Sequence, residues 1–178
     1  MTLYETAVGL ALRAHATQVR KTDGSPYIIH PLTVAYVVST HTSDETIIAA
    51  ALLHDTLEDT SVGKEELVSL VGQDVVRIIE AVSENTDLPW EVRKAAYVES
   101  VLAGGEAVWL VSVADKVHNA TCLVRELKAK GDSVWSSFNR GKVEKLWFEN
   151  LLCSTLKMVW THPLLLEYEA LILEIERL

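Results

Sequence analysis

His54 and Asp55 stand side by side in ALLHDTLEDT, and Glu58 and Asp59 follow within the same short stretch. A helix brings positions i and i+4 onto one face, so His54 lies over Glu58 and Asp55 over Asp59. Four ionisable side chains in a strongly apolar segment are expensive to bury unpaired. A divalent cation resolves that cost, because it neutralises carboxylates and accepts a neutral imidazole nitrogen. A His-Asp dipeptide by itself is far more often a hydrogen-bonded pair on a solvated edge, so the weight rests on partners elsewhere in the chain.

Two other positions offer such partners. His30, in YIIHP, opens an apolar helix, where the ordinary role is a cap or a satisfied core histidine. Asp115 ends the apolar run VWLVSVA, where a carboxylate must be buried or nearly so; its ordinary partners would be Lys116, Arg125 or a helix terminus. Asp115, His118 and Asn119 follow at i, i+3 and i+4, one polar face on an otherwise apolar helix. Two neutral imidazoles and the two aspartates supply a charge that balances a doubly positive ion. A mixed imidazole and carboxylate set suits Mn²⁺, Fe²⁺, Zn²⁺ or Ni²⁺ better than Ca²⁺. Without a thiolate the set does not resemble a structural zinc site, and ligands drawn from separate helices leave positions open for water and substrate.

The elements that must position these residues read as helices. Leu3, Ala7, Leu10, Ala11 and Ala14 recur at helical spacing, which predicts a helix over 3–18. KTDGSPYII interrupts it, and Pro31 fits the first turn of a helix over 31–40. Ser43 or Asp44 can cap a third helix through ETIIAAALLHDTLED. Shorter helices are expected over 64–71 and 73–84, and another from near Pro89 to about 103, ended by Gly104-Gly105. In AVWLVSVADKVHNATCLVREL the Val-rich first half is compatible with a buried strand, while its length and the pattern after it favour one long buried helix. Two more helices, over 140–160 and 163–176, close the chain, the later half of the first apolar nearly all round and expected inside. The fold class is all-α, a helical bundle, and residues 1–178 are expected to form one domain.

Composition narrows the function classes. With 178 residues, 49% hydrophobic and 23% charged, the chain can bury a sizeable core. The net charge of −9 and the lack of a Lys/Arg run disfavour general nucleic-acid binding; a small phosphorylated ligand needs only local cations or a metal. Cys122 and Cys153 belong to no CxxC pair and are expected to be buried free thiols. No signal peptide and no apolar run long enough for a membrane span is found, so a soluble, cytoplasmic protein is expected. Nothing in the sequence sets an oligomeric state. His41 and His162 are not expected to bind metal.

The pattern H…HD…D resembles that of the HD phosphohydrolase superfamily. The fuller similarity is to the hydrolase domain of Rel/SpoT-type alarmone enzymes and to their stand-alone small hydrolases, including the metazoan type. It covers nearly the whole chain and rests on AHATQVRKTDGSPYIIHPLTVA, AALLHDTLEDT, EAVSENTDLPWEVRKAA, VSVADKVHNATCL and VWSSFNRGKVEKLWFE. The resemblance implies that His30, His54, Asp55 and Asp115 hold the metal, usually Mn²⁺ in this family. It implies that Glu58 and Asp59 orient or activate the attacking water, that Arg20 and Lys21 line the nucleotide site, and that Asn119 lies beside the substrate ribose and phosphates. His118 would touch substrate or help orient Asp115. Trp90, Arg93 and Lys94 correspond loosely to a basic loop near the substrate, and Trp147-Phe148 to aromatics near the nucleotide. The implied activity is hydrolysis of the 3′-pyrophosphate of guanosine tetra- or pentaphosphate, with no synthetase domain expected in a chain of this length. Two alternatives stand beside it: a phosphatase of the same type acting on another nucleotide such as NADPH, and a catalytically silent alarmone-binding module.

Overall fold

The computed structural model describes residues 1–20 and 24–178, and among them the architecture is helical throughout, apart from an isolated bridge pairing Val19 with Pro26. The elements run α1 (Leu3–Ala14), α2 (Ile29–Ser39), α3 (Glu45–Leu53), α4 (Thr56–Asp59), α5 (Lys64–Val71), α6 (Gln73–Val82), α7 (Trp90–Gly104), α8 (Glu106–Lys130), a 3-10 turn at Gly131–Ser137, α9 (Gly141–Lys157) and α10 (Pro163–Arg177).

The starts follow capping chemistry. Thr2 and Glu5 form a reciprocal capping box at α1, and the Asp44 carboxylate accepts the Thr46 N–H at α3. Helix α8 is the axis of the bundle. It buries residues on nearly every side, from Val108 to Leu127, and packs against α2, α3, α6, α7 and α10. Its Val-rich start is helical and not a strand: burial against several neighbouring helices outweighs the modest helical reluctance of β-branched residues. The main core gathers α1, α2, α3 and α6 around the first half of α8, with Ala49, Leu52, Leu53, Val76 and Ile79 fully enclosed. A smaller cluster of Leu123, Val124, Leu127, Val134 and Ile175 surrounds its far end.

Three boundaries depart from the sequence expectation. Helix α1 stops at Ala14, because residues after His15 turn back: Tyr27 N–H donates to Gln18 O at 2.9 Å and Arg20 N–H to Ser25 O at 2.8 Å. The expected single helix over 45–59 is broken at His54-Asp55 into α3 and α4. Helix α9 is one-sided where an all-round apolar surface was expected; it buries Phe148, Glu149, Leu152, Cys153 and Leu156 and leaves Ser154 and Lys157 exposed. Both cysteines are free and buried.

The α7–α8 corner sets where Asp115 falls. Gly105 has φ +78°, open to glycine at little cost. At Gly104 a Cβ would lie 2.6 Å from Val108 Cγ2 and 2.8 Å from its Cβ, so the two helices meet only because Gly104 carries no side chain. Gly104→Ala is expected to destabilise the fold by about 1–3 kcal/mol through overpacking, read as a fall of several degrees in Tm by circular dichroism.

Candidate metal centre and pocket

The helix break and two neighbouring helices bring the sequence-singled residues together. His30 stands in the first turn of α2, His54 and Asp55 form the turn between α3 and α4, and Asp115 lies midway along α8. His30, His54 and Asp115 are buried, and one ligand atom from each lies within 4.8 Å of the others. The two imidazole Nε2 atoms are 3.2 Å apart. Asp115 Oδ1 lies 3.1 Å from His30 Nε2 and 3.7 Å from His54 Nε2. Asp55 is half-buried and brings Oδ2 to 3.3 Å from His30 Nε2 and 3.0 Å from His54 Nε2. Two imidazole nitrogens and two carboxylate oxygens thus face one small space.

The far side of each imidazole decides which nitrogen faces that space. His54 Nδ1 lies 2.8 Å from Ala51 O, so in the neutral ring Nδ1 donates and Nε2 keeps its lone pair for the cluster. An uninterrupted helix would offer that carbonyl to the Asp55 N–H. His30 Nδ1 lies 2.6 Å from His118 Nδ1, with the rings stacked. Burial, with His30 and Arg20 nearby, pushes the His118 pKa down to about 4; a neutral His118 accepts the His30 Nδ1–H and leaves His30 Nε2 free to ligate. The hydrogen-bond partner of His118 is His30 and not Asp115, which is oriented by Asn119, whose Nδ2 donates to Oδ1 at 2.6 Å. The donor set fits a divalent metal, with two imidazoles held in the ligating tautomer and carboxylates to balance its charge.

The charges that face one another in the cluster shift each other's titration. Burial alone would disfavour a charged His54, but the adjacent Asp55 and Asp115 override this and raise its pKa well above the ordinary range. Against the burial that opposes ionisation, His54 and then His30 hold the Asp55 pKa low, while Lys116, with Nζ at 2.7 Å, does most to lower that of Asp115, with the two imidazoles adding to it.

The remaining sequence candidates surround this centre. Asp59 Oδ2 accepts the Tyr27 hydroxyl at 3.1 Å, and Asp55 Oδ2 accepts it at 2.6 Å. Glu58 opens onto the pocket, and its Oε2 accepts the Glu84 N–H at 3.0 Å. Removal from bulk solvent and the carboxylates of Glu84, Asp55 and Asp59 raise its pKa, against the lowering pull of that N–H. Arg20 donates to Asn119 Oδ1 at 3.3 Å, tying the turn after α1 to the polar face of α8. Lys21 lies outside the described residues. Tyr27, Gln18 and Glu84 were not singled out from sequence as site residues. Tyr27 had a signal, standing three residues before His30 in the segment that enters α2; Glu84 had none beyond its place in the EAVSENTDLPWEVRKAA block.

A pocket of about 750 Å³ opens over the centre. His30, Asp55, Glu58, Asp59 and Asp115 line one wall, and Arg20, Arg93, Lys94, Lys116, Arg140 and Lys145 supply cations around it. Lys94 Nζ sits 4.4 Å over the Phe148 ring, and Trp90 stacks obliquely on Trp147 at 5.6 Å. A carboxylate-rich metal cluster beside a cationic cavity is built to hold an anionic phosphoester with its reacting group at the cluster.

This fold and site define a class: a family model described as "HD domain" matches residues 7–143, and the chain belongs to that family. Among its relatives it is similar to guanosine-3′,5′-bis(diphosphate) 3′-pyrophosphohydrolase MESH1 of Danio rerio, 38% identical over 138 residues, covering 76% of this chain and 74% of the relative. The human MESH1 is 37% identical over 134 residues, covering 73% and 72%. The fold also matches the solved structure of a metazoan ortholog of SpoT, with a TM-score of 0.83 and 23% identity over 100% of this chain and 98% of that one.

Two outcomes follow from the geometry. Because ligation needs a deprotonated His54, whose pKa the facing aspartates raise, uptake of a divalent cation such as Mn²⁺ is expected to release protons and to weaken as pH falls; titration calorimetry in buffers of different ionisation enthalpy reads this, and a buffer-independent heat would contradict it. His118→Phe keeps a ring against His30 but removes the acceptor, and is expected to lower metal affinity about 10–100-fold in the same calorimetry.

Proposed function

We propose that this chain hydrolyses the 3′-pyrophosphate of guanosine alarmones, converting ppGpp or pppGpp to GDP or GTP and pyrophosphate. The observation that carries the reading is the meeting of His30, His54, Asp55 and Asp115 at a cationic pocket whose wall His30, Asp55, Asp115 and Glu58 line. Similarity to the MESH1 pyrophosphohydrolases over about three quarters of both chains supports the substrate class. His30, His54, Asp55 and Asp115 would hold the metal, and Mn²⁺ suits their mixed donors. When bound, such an ion supplies Lewis acidity toward a phosphoryl group.

The chain's own residues do the rest. Glu58, anchored by the Glu84 N–H, accepts a proton from the attacking water; its raised pKa makes it a stronger base. Asp59 shares the Tyr27 hydroxyl with Asp55 and holds the acidic edge in register. The water oxygen ends on the proximal phosphorus, the bond from that phosphorus to ribose O3′ breaks, and O3′ takes up a proton. Arg20, together with Lys21, binds the nucleotide phosphates, and Asn119 and His118 border the ribose while backing Asp115 and His30. Among the described residues no helix is long and apolar enough to cross a membrane; the reading places the protein in the cytoplasm, with residues 1–178 acting as one unit on a small nucleotide and not on nucleic acid.

The test is turnover by the Mn²⁺-loaded protein of ppGpp and, separately, of NADPH. Pyrophosphate from ppGpp is the expected product; orthophosphate from NADPH alone would reassign the substrate, and binding without turnover would make the chain a silent module. Glu58→Gln is expected to keep metal stoichiometry and lower kcat by about 10²–10⁴-fold, and the wild-type rate is expected to fall at acid pH as the Glu58 carboxylate, its pKa above the ordinary value, becomes protonated.

A further inference from the structure

Helix α10 contributes no residue to the pocket lining among the described residues, yet one of its side chains reaches the pocket through a single intermediary. Glu149 on α9 is a carboxylate only 3% exposed, and Tyr168 on α10 is fully enclosed. The Tyr168 hydroxyl donates to Glu149 Oε2, and Lys145 Nζ, one turn earlier on α9, donates to Glu149 Oε1. Lys145 lines the pocket, with a quarter of its side chain (25%) exposed.

A carboxylate buried this deeply needs both oxygens satisfied. Tyr168 occupies one oxygen and thereby fixes the carboxylate plane, so the other can only be presented toward Lys145. A long flexible lysine loses its freedom to swing into solvent and holds its charge at the pocket wall. Among the described residues, the other two lysines of that wall are held by carboxylates next to the pocket itself, Lys94 by Glu84 and Lys116 by Asp115. Of these three, Lys145 is the one whose holder is fixed from a helix outside the pocket.

We propose that Tyr168 and Glu149 are positioning residues for Lys145, and that Lys145, so held, contacts a phosphate of the bound nucleotide. The second half rests on the reading of the pocket as a nucleotide site. The first half does not, and the two are tested separately.

Lys145 acetylation by acetic anhydride, followed by mass spectrometry without substrate, reads the positioning. Tyr168→Phe, isosteric within an enclosed site, and Glu149→Gln are both expected to raise the Lys145 rate about three- to tenfold, with the rates of lysines away from Glu149 unchanged; Lys116, which also feels the Glu149 carboxylate, is left out of that comparison. An unchanged Lys145 rate in both variants overturns the positioning role. Steady-state kinetics of the Mn²⁺-loaded enzyme on ppGpp read the contact. Tyr168→Phe and Lys145→Ala are each expected to raise KM about three- to tenfold with kcat within about twofold, and the double variant to match Lys145→Ala alone. Additive losses in the double variant would assign Tyr168 a merely structural role and overturn the proposal. Faster Lys145 acetylation in a protein that turns over no ppGpp would retain the positioning and refute the nucleotide reading.

Discussion

The structure is organised by the need to keep ionisable groups neutralised where an apolar bundle encloses them. His30, His54 and Asp115 are each less than a tenth exposed, and any of them left alone there would be destabilising. Each is tolerable because the others, with Asp55 at the edge, are within 3–4 Å. That mutual dependence fixes the relation of α2, the α3–α4 turn and α8 more tightly than apolar packing would, because sliding any one element would strand a charge. Helix α8 therefore has to be buried on nearly all sides, and the corner at Gly104 has to be close enough to deliver Asp115 at the right height.

An acidic protein that receives an anionic ligand must separate its charges in space. The chain carries −9 overall, but Arg20, Arg93, Lys94, Lys116, Arg140 and Lys145 are gathered around the pocket. Each is tethered in place: Lys94 and Arg93 to Glu84, Lys116 to Asp115, Arg20 to Asn119. Tethering lowers the entropy lost when a ligand arrives and keeps the cations from collapsing onto the acidic cluster. Phe148, under Lys94, gives this wall an apolar floor that limits screening by water.

Much of this was legible in the sequence because the chemistry is spaced by helical geometry. Periodicity placed nearly every helix, and the residues at 30, 54, 55 and 115 stood out because each interrupts an apolar run. What was not legible depended on contacts between distant segments. The end of α1 at Ala14 follows from backbone pairing between residues near 18–20 and 25–27, which no local propensity reveals. The break at His54 follows from a side chain competing for a main-chain carbonyl. Tyr27 and Glu84 touch the acidic residues only after folding, and the partner of His118 is 88 positions away along the chain, so periodicity on α8 could show its face but not its purpose.

The break between α3 and α4 has one more consequence. The group that sets the His54 tautomer is the carbonyl of Ala51, part of the main chain. No substitution at that position can delete it, although the fully buried alanine there leaves room only for a side chain of similar size. His30 depends instead on a side chain, His118, that a single codon change can take away. One imidazole is therefore insured by backbone and the other by genotype, so gradual decay of this centre in a lineage would begin on the α2 side.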